Sequence, residues 1–153
     1  MVLRFKKGAD GGGTTTMLRD DGTSTWQPAT TYFVFHDLMH YAVESTLGFT
    51  HAFLGLIAGG KDIQDFDKGA KHWLPLEAHW AEIIAGQLQA VTGGSISSDE
   101  LPASIAAACE GLGVPVPVIP EGALTRIAEL HRQLIARWNG LAPGQAMKLR
   151  WPP

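Results

Sequence analysis

Hydrophobic and polar positions follow two different periods along this chain. Val2-Leu3-Arg4-Phe5-Lys6 alternates, with Leu3 and Phe5 on one side and Arg4 and Lys6 on the other, the mark of a half-buried strand. Residues 8–13 break the pattern, and Thr14-Thr15-Thr16-Met17-Leu18 resumes it with β-branched side chains. Asp21-Gly22 signals a hairpin turn, since glycine accepts the positive φ such turns require. Ser24-Thr25-Trp26 then forms a third strand, closed by Pro28. Met147-Lys148-Leu149-Arg150-Trp151 alternates again near the other end. A lone strand there needs a partner, and the N-terminal meander supplies it.

Between these ends the period lengthens to that of a helix. Thr30 or Thr31 caps a helix over residues 33–47, and Gly48 stops it. Thr50 caps a short helix over 51–57, and 61–69 reads as a charged connection. Pro75 suits the first turn of a helix running to about Val91, with Leu76, Trp80, Ile83, Ile84 and Val91 as its apolar stripe. Ser98 opens another, with Leu101, Ile105, Cys109 and Leu112 on one face; Pro102 is tolerable near its first turn. The prolines of 113–120 keep that segment extended. Over 121–138, Leu124, Ile127, Leu130, Leu134 and Trp138 form one stripe, with Arg126, Arg132 and Arg137 outside it, and Asn139-Gly140 ends the helix. The expected fold is α+β, a mostly helical core with a small antiparallel sheet built from both chain ends. One domain over 1–153 accounts for it.

Composition narrows the function classes. Hydrophobic residues make up 45% and charged ones 18%, an ordinary globular mixture. A formal charge of −3 gives no global attraction to nucleic acid or to an anionic membrane. Arg4, Lys6, Lys148 and Arg150 share the polar side of their strands, but no aromatic residue is expected among them, which disfavours nucleic-acid binding. The start of the chain has no apolar segment of the signal-peptide kind, and no apolar run is long enough to span a bilayer. The lone Cys109 cannot form an internal disulfide. A soluble cytoplasmic protein is expected. A homodimer is compatible with the chain, although no heptad supports one.

The chemistry concentrates in the helix over 33–47. At 100° per residue, with His36 as zero, His40 falls at about 40°, Glu44 at about 80° and Asp37 at about 100°. All of that helix's ionisable side chains apart from its tyrosine hydroxyl therefore share one quadrant, and all are residue types that ligate metals. Phe33 and Leu47 lie in the same arc, which favours a partly dry setting. Imidazoles at i and i+4 can both reach one ion, the spacing used by metalloprotease helices. A ligand from another element is needed to complete a site. The helix over 75–91 offers Glu77, His79 and Glu82, and Glu82 is preferred because Ala78, Ala81 and Ala85 beside it let a neighbouring helix approach. His51 begins the next helix and is a further candidate, whereas His72 and His131 read as a loop and a core-edge histidine.

HDLMH resembles the HExxH helix of zinc metallopeptidases, with aspartate in the glutamate position. It is closer to the HDxxH-x11-E signature of the ubiquinone-biosynthesis Coq-type proteins, a resemblance that implies zinc held by two His, an Asp and a Glu. The place of that last Glu is taken here by Ala52, with His51 just before it. HDLMHYAVES followed by GFTHAFLGLIAGG also resembles a set of small bacterial proteins with an HDLxHYxVE core, over most of the chain and with no activity implied.

The expectation is a divalent-metal protein, with zinc held by His36, His40, Glu44 and Glu82. Asp37 would be the general base of a hydrolase acting on a small molecule, or a further ligand, or a partner to a ligand's ring N–H. The alternative is a non-catalytic protein that binds a small ligand or is purely structural, its His/Asp/Glu cluster a hydrogen-bonded polar face. Trp26, Trp73, Trp80, Trp138 and Trp151 would then supply either aromatic pocket walls or, more simply, core packing.

Overall fold

The computed structural model describes residues 1–66 and 74–152, so His72 and Trp73 lie outside the described residues. Four antiparallel strands form one sheet in the order β3-β2-β1-β4, from β1 (Val2–Lys7), β2 (Gly13–Leu18), β3 (Ser24–Ala29) and β4 (Ala146–Arg150). The N-terminal meander and the C-terminal strand therefore meet as expected, with Leu3 opposite both Met17 and Leu149. Pro28 does not close β3 but lies within it, opposite Thr14. It is tolerated because β3 is an edge strand, where a missing N–H costs no ladder bond.

Among the described residues, five helices lie between β3 and β4: α1 (Thr31–Leu47), α2 (Phe53–Ala58), α3 (Leu76–Thr92), α4 (Leu101–Leu112) and α5 (Ala123–Asn139). The protein is thus α+β. Thr30 caps α1 by accepting from the Phe33 N–H, and Gly48 ends it in the left-handed region at φ 70°. Thr50 does not cap α2; Ala52 holds that position without a side-chain bond. The carboxylate of Glu77 on α3 accepts instead from the N–H groups of Thr50 and His51, at 2.8 and 2.6 Å. α4 begins at Leu101, and the expected opening at Ser98 is a turn that precedes it. A 3₁₀ turn at Ile63–Phe66 occupies part of the expected connection 61–69. None of the described helices is long and apolar enough to cross a membrane.

The position of α1 sets up everything that follows. One side contributes Val34, Leu38 and Tyr41 to a core shared with Leu3, Phe5 and Met17 of the sheet and Leu134 and Trp138 of α5. The other contributes Met39, Ala42 and Val43 to a second core with Ala81, Ile84 and Ala85 of α3 and Ile105 of α4. Each fully buried aliphatic side chain contributes about 1.5–3 kcal/mol. A helix held between two cores has little surface left for water, and its polar quadrant is drawn inside with it.

The outward face of the sheet differs from expectation in one respect. Trp26, 59% exposed, stands in the cross-strand row that runs through Thr16 and Arg4 to Lys148. An aromatic residue therefore does share the basic face. Trp138 and Trp151 are core residues, and Trp80 donates its indole N–H to the Pro115 carbonyl at 2.7 Å.

Candidate metal centre

The quadrant of α1 that carries the ionisable residues faces α2, α3 and the edge of the sheet. Asp37, His40 and Glu44 are all buried, with Glu44 at 0% exposure. His36 keeps a quarter of its side chain in solvent. A buried carboxylate is costly unless paired, and Glu44 is paired twice. It accepts from His40 Nδ1 at 3.2 Å and from the Leu54 N–H of α2 at 3.0 Å. Gly55, next in α2, sits so close to the Thr50 carbonyl that a Cβ would come within 1.9 Å of its oxygen. That close approach seats α2 on the turn that follows α1.

With Nδ1 donating to Glu44, the other nitrogen of His40 is left facing the pocket. Among the described residues, His40 Nε2 is the one buried side-chain nitrogen or oxygen that makes no hydrogen bond. Glu82 Oε1 is 3.3 Å away, at hydrogen-bond distance but without the alignment, so the attraction there is between charges. The other oxygen, Glu82 Oε2, lies 3.9 Å from His36 Nε2. The two imidazole rings are 4.7 Å apart between centroids. Single donor atoms of His36, His40 and Glu82 fall within 4.8 Å of one another, a group that could hold a metal ion. Ligands at zinc distances in a tetrahedral shell stand about 3.4 Å apart. Small side-chain rotations therefore suffice.

The protonation states follow from the same geometry. Burial lowers His36 to about 4, helped by the His40 charge and only partly opposed by Glu82, so its ring is neutral with a lone pair to offer. Burial alone would lower His40 as well, but the hydrogen bond to Glu44 and the charges of Glu44 and Glu82 outweigh it and raise His40 above the ordinary histidine value. In the metal-free protein His40 thus carries a proton between two carboxylates, and a bound cation would take over that charge. Burial raises Asp37 to about 6 against the opposing hydrogen bond from Thr15 Oγ1 at 3.0 Å. Burial likewise raises Glu44, opposed by its bonds to His40 and α2.

Asp37, His36, His40 and Glu82 line one cavity of about 210 Å³, whose other walls are Phe33, Phe53, Phe66, Ile63 and Gln27. Arg19 holds the segment that supplies Ile63 and Phe66. Its guanidinium, almost fully buried, donates to the Ile57 carbonyl at 2.7 Å, to Asp62 Oδ1 at 2.8 Å and to the Lys61 carbonyl. Larger clefts lie at the glycine-rich turn between β1 and β2 and among α3, α4 and α5, but neither brings metal-ligating side chains together among the described residues.

The structure thus brings His36, His40, Asp37 and Glu82 around one cavity, and places Glu44 behind His40 on its far nitrogen. Glu77 is used at the start of α2, and His51 is 71% exposed beside it, outside the metal-competent group. His131 is buried at the edge of the core and bonds through Nε2 to the Phe35 carbonyl at 3.0 Å. Sequence reasoning missed Thr15, Arg19, Phe53 and Phe66. Thr15 had a signal, since alternation in β2 puts it on the same side as Met17, toward the core. Known protein families, curated proteins and solved structures offer no match to this chain.

Proposed function

We propose that His36, His40 and Glu82 bind one divalent cation, zinc by preference, and that the centre catalyses hydrolysis of a small molecule. The observation that carries this reading is the buried Nε2 of His40, which lacks a hydrogen bond and faces a second imidazole and a carboxylate. Two histidines and one glutamate are the donor set of catalytic zinc sites that keep an open position, and the same set also suits ferrous iron. When bound, such a cation supplies Lewis acidity and lowers the pKa of a water to about 7. Glu44 fixes the ring of His40 with Nδ1 protonated, so that Nε2 is the ligating atom. Asp37, raised by burial and lining the same cavity, would be placed to accept a proton from such a water and to return it to a leaving group. The resemblance of HDLMH to zinc motifs supports the choice of metal.

A non-catalytic reading draws on the charge balance of the metal-free site, where protonated His40 already neutralises Glu44 and Glu82 in part. Elemental analysis of untagged protein, wild type beside His36→Ala and His40→Ala, separates the two. One equivalent of zinc in the wild type and none in either variant is the expected result. Trace metal in all three would leave the hydrogen-bonded cluster as the better description. Folding that survives chelation points to a catalytic ion, and unfolding on chelation to a structural one.

A further inference from the structure

We infer that the substrate of this centre is a small molecule built on one flat apolar ring, with a single oxygen or nitrogen donor that reaches the cation. The inference rests on the metal reading above and adds what the rest of the cavity would select. Phe53 stands 5.3 Å from the His40 ring and 4.9 Å from Phe66, edge to face with the latter. With Phe33 these residues make three aromatic walls around a donor set that occupies the remaining side. Edge and face contacts with a ring are favoured at such spacings. A dry cavity of about 150 Å³ takes up benzene. The 210 Å³ here gives room for one such ring.

The donor side of the cavity carries two carboxyl groups, Asp37 and Glu82. A peptide is disfavoured. Metallopeptidase-like binding would lay a substrate strand along the free edge of β3 beside the site. Here that edge is covered by the 3₁₀ turn, where the Gln64 amide donates to the Trp26 carbonyl and the Ile63 N–H donates to Thr25 Oγ1. Pro28 removes one further donor from the strand. At the mouth, Tyr32 and Phe33 are both more than half exposed and pack edge to face, an apolar lip for an entering ring.

Two probes test this. Cobalt(II)-loaded protein is titrated with benzohydroxamate, acetohydroxamate and a tripeptide hydroxamate, read by the visible spectrum of the cobalt. In parallel, chelator-treated protein is titrated with phenol, read by NMR shifts of the Phe33, Phe53 and Phe66 ring protons. Benzohydroxamate is expected to bind about tenfold tighter than acetohydroxamate. That advantage should shrink below about threefold in Phe33→Ala, a half-exposed position whose truncation leaves both cores intact. Phenol is expected to shift the three ring systems saturably. Ring shifts with phenol but no cobalt spectrum would sink the metal reading and leave the ring pocket standing. Equal affinity for the two small hydroxamates, tighter binding of the peptide hydroxamate, or no phenol shifts would overturn the ring inference, whatever the cobalt shows.

Discussion

Two hollows of this protein invite comparison, because size and chemistry separate in them. The cleft among α3, α4 and α5 encloses about 630 Å³ and is lined by Leu88, Leu101, Ile105, Val116, Ile119 and Leu124, among others. The cavity beside α1 has a third of that volume, yet Asp37, His36, His40 and Glu82 converge on it. The larger hollow lies where a proline-rich extended segment meets α3, α4 and α5. The smaller one exists because α1 is wedged between two cores and cannot turn its polar quadrant to water. Volume follows from packing, whereas convergence of groups that are costly to bury needs a reason. That is why the proposed function rests on the smaller site.

The comparison is most easily broken by a substitution in the large cleft. Ile105 is 1% exposed and belongs both to the cleft and to the second core. Ile105→Ala should cost about 2–5 kcal/mol of stability through lost burial and the void left behind. Metal stoichiometry should not change. Chemical denaturation and elemental analysis on the same preparation check both halves. Loss of metal would show that the two hollows are energetically one unit.

A subtler substitution tests the cavity's own architecture. Glu44→Gln keeps the shape and one acceptor oxygen for His40 Nδ1, but removes the charge and the second oxygen, which accepts from the Leu54 N–H. Partners that orient a ligating histidine typically change affinity by about 10–100-fold when altered. Glu44→Gln is expected to bind one equivalent of zinc with affinity weakened by about that factor, measured by competition with a chromophoric chelator. Unchanged affinity would mean that Glu44 merely fills space. Loss of all detectable binding would make it a ligand, as the sequence alone suggested.

That pair of outcomes marks where the sequence stops being legible. Helical spacing placed His36, Asp37, His40 and Glu44 in one quadrant, and small residues around Glu82 pointed to the helix that approaches them. Both are local properties of a 3.6 period. Which nitrogen of His40 faces Glu44 depends on the rotamers of a packed interface, and no periodicity encodes that. Pro28 was misread for a related reason, since whether a proline ends a strand depends on whether the strand lies at the sheet's edge. The aromatic walls were sought among tryptophans, the rarer and larger residue. Phe53 and Phe66 supply them instead, because α2 and the 3₁₀ turn are folded back over α1 by contacts from Glu77, Glu44 and Arg19. Those contacts join residues 10–38 positions apart, beyond the reach of any pattern read along the chain.

The smallest expected effect distinguishes the two buried histidines. His131 is buried like His40, but it faces only a backbone carbonyl, to which its Nε2–H donates. Burial lowers its pKa, and the bond to Phe35 offsets this only in part. A histidine whose folded value is depressed contributes stability that is complete above the ordinary value near 6.5. As pH falls, the unfolded chain takes up the proton first, and the contribution is lost as pH passes down through the folded value. His131→Gln replaces the ring by an amide that can still donate to Phe35 and does not titrate. The stability of wild type relative to this variant, measured on chelator-treated protein, should therefore be greatest above pH 6.5 and shrink steadily below it. The site groups His36, Asp37, His40 and Glu44 titrate in both proteins and cancel in the difference. A difference that stays flat with pH would show that His131 titrates as in an unfolded chain, and that burial alone does not set a histidine's charge in this fold. His40 would then owe its proton to its carboxylate partners in an environment less desolvating than its burial implies.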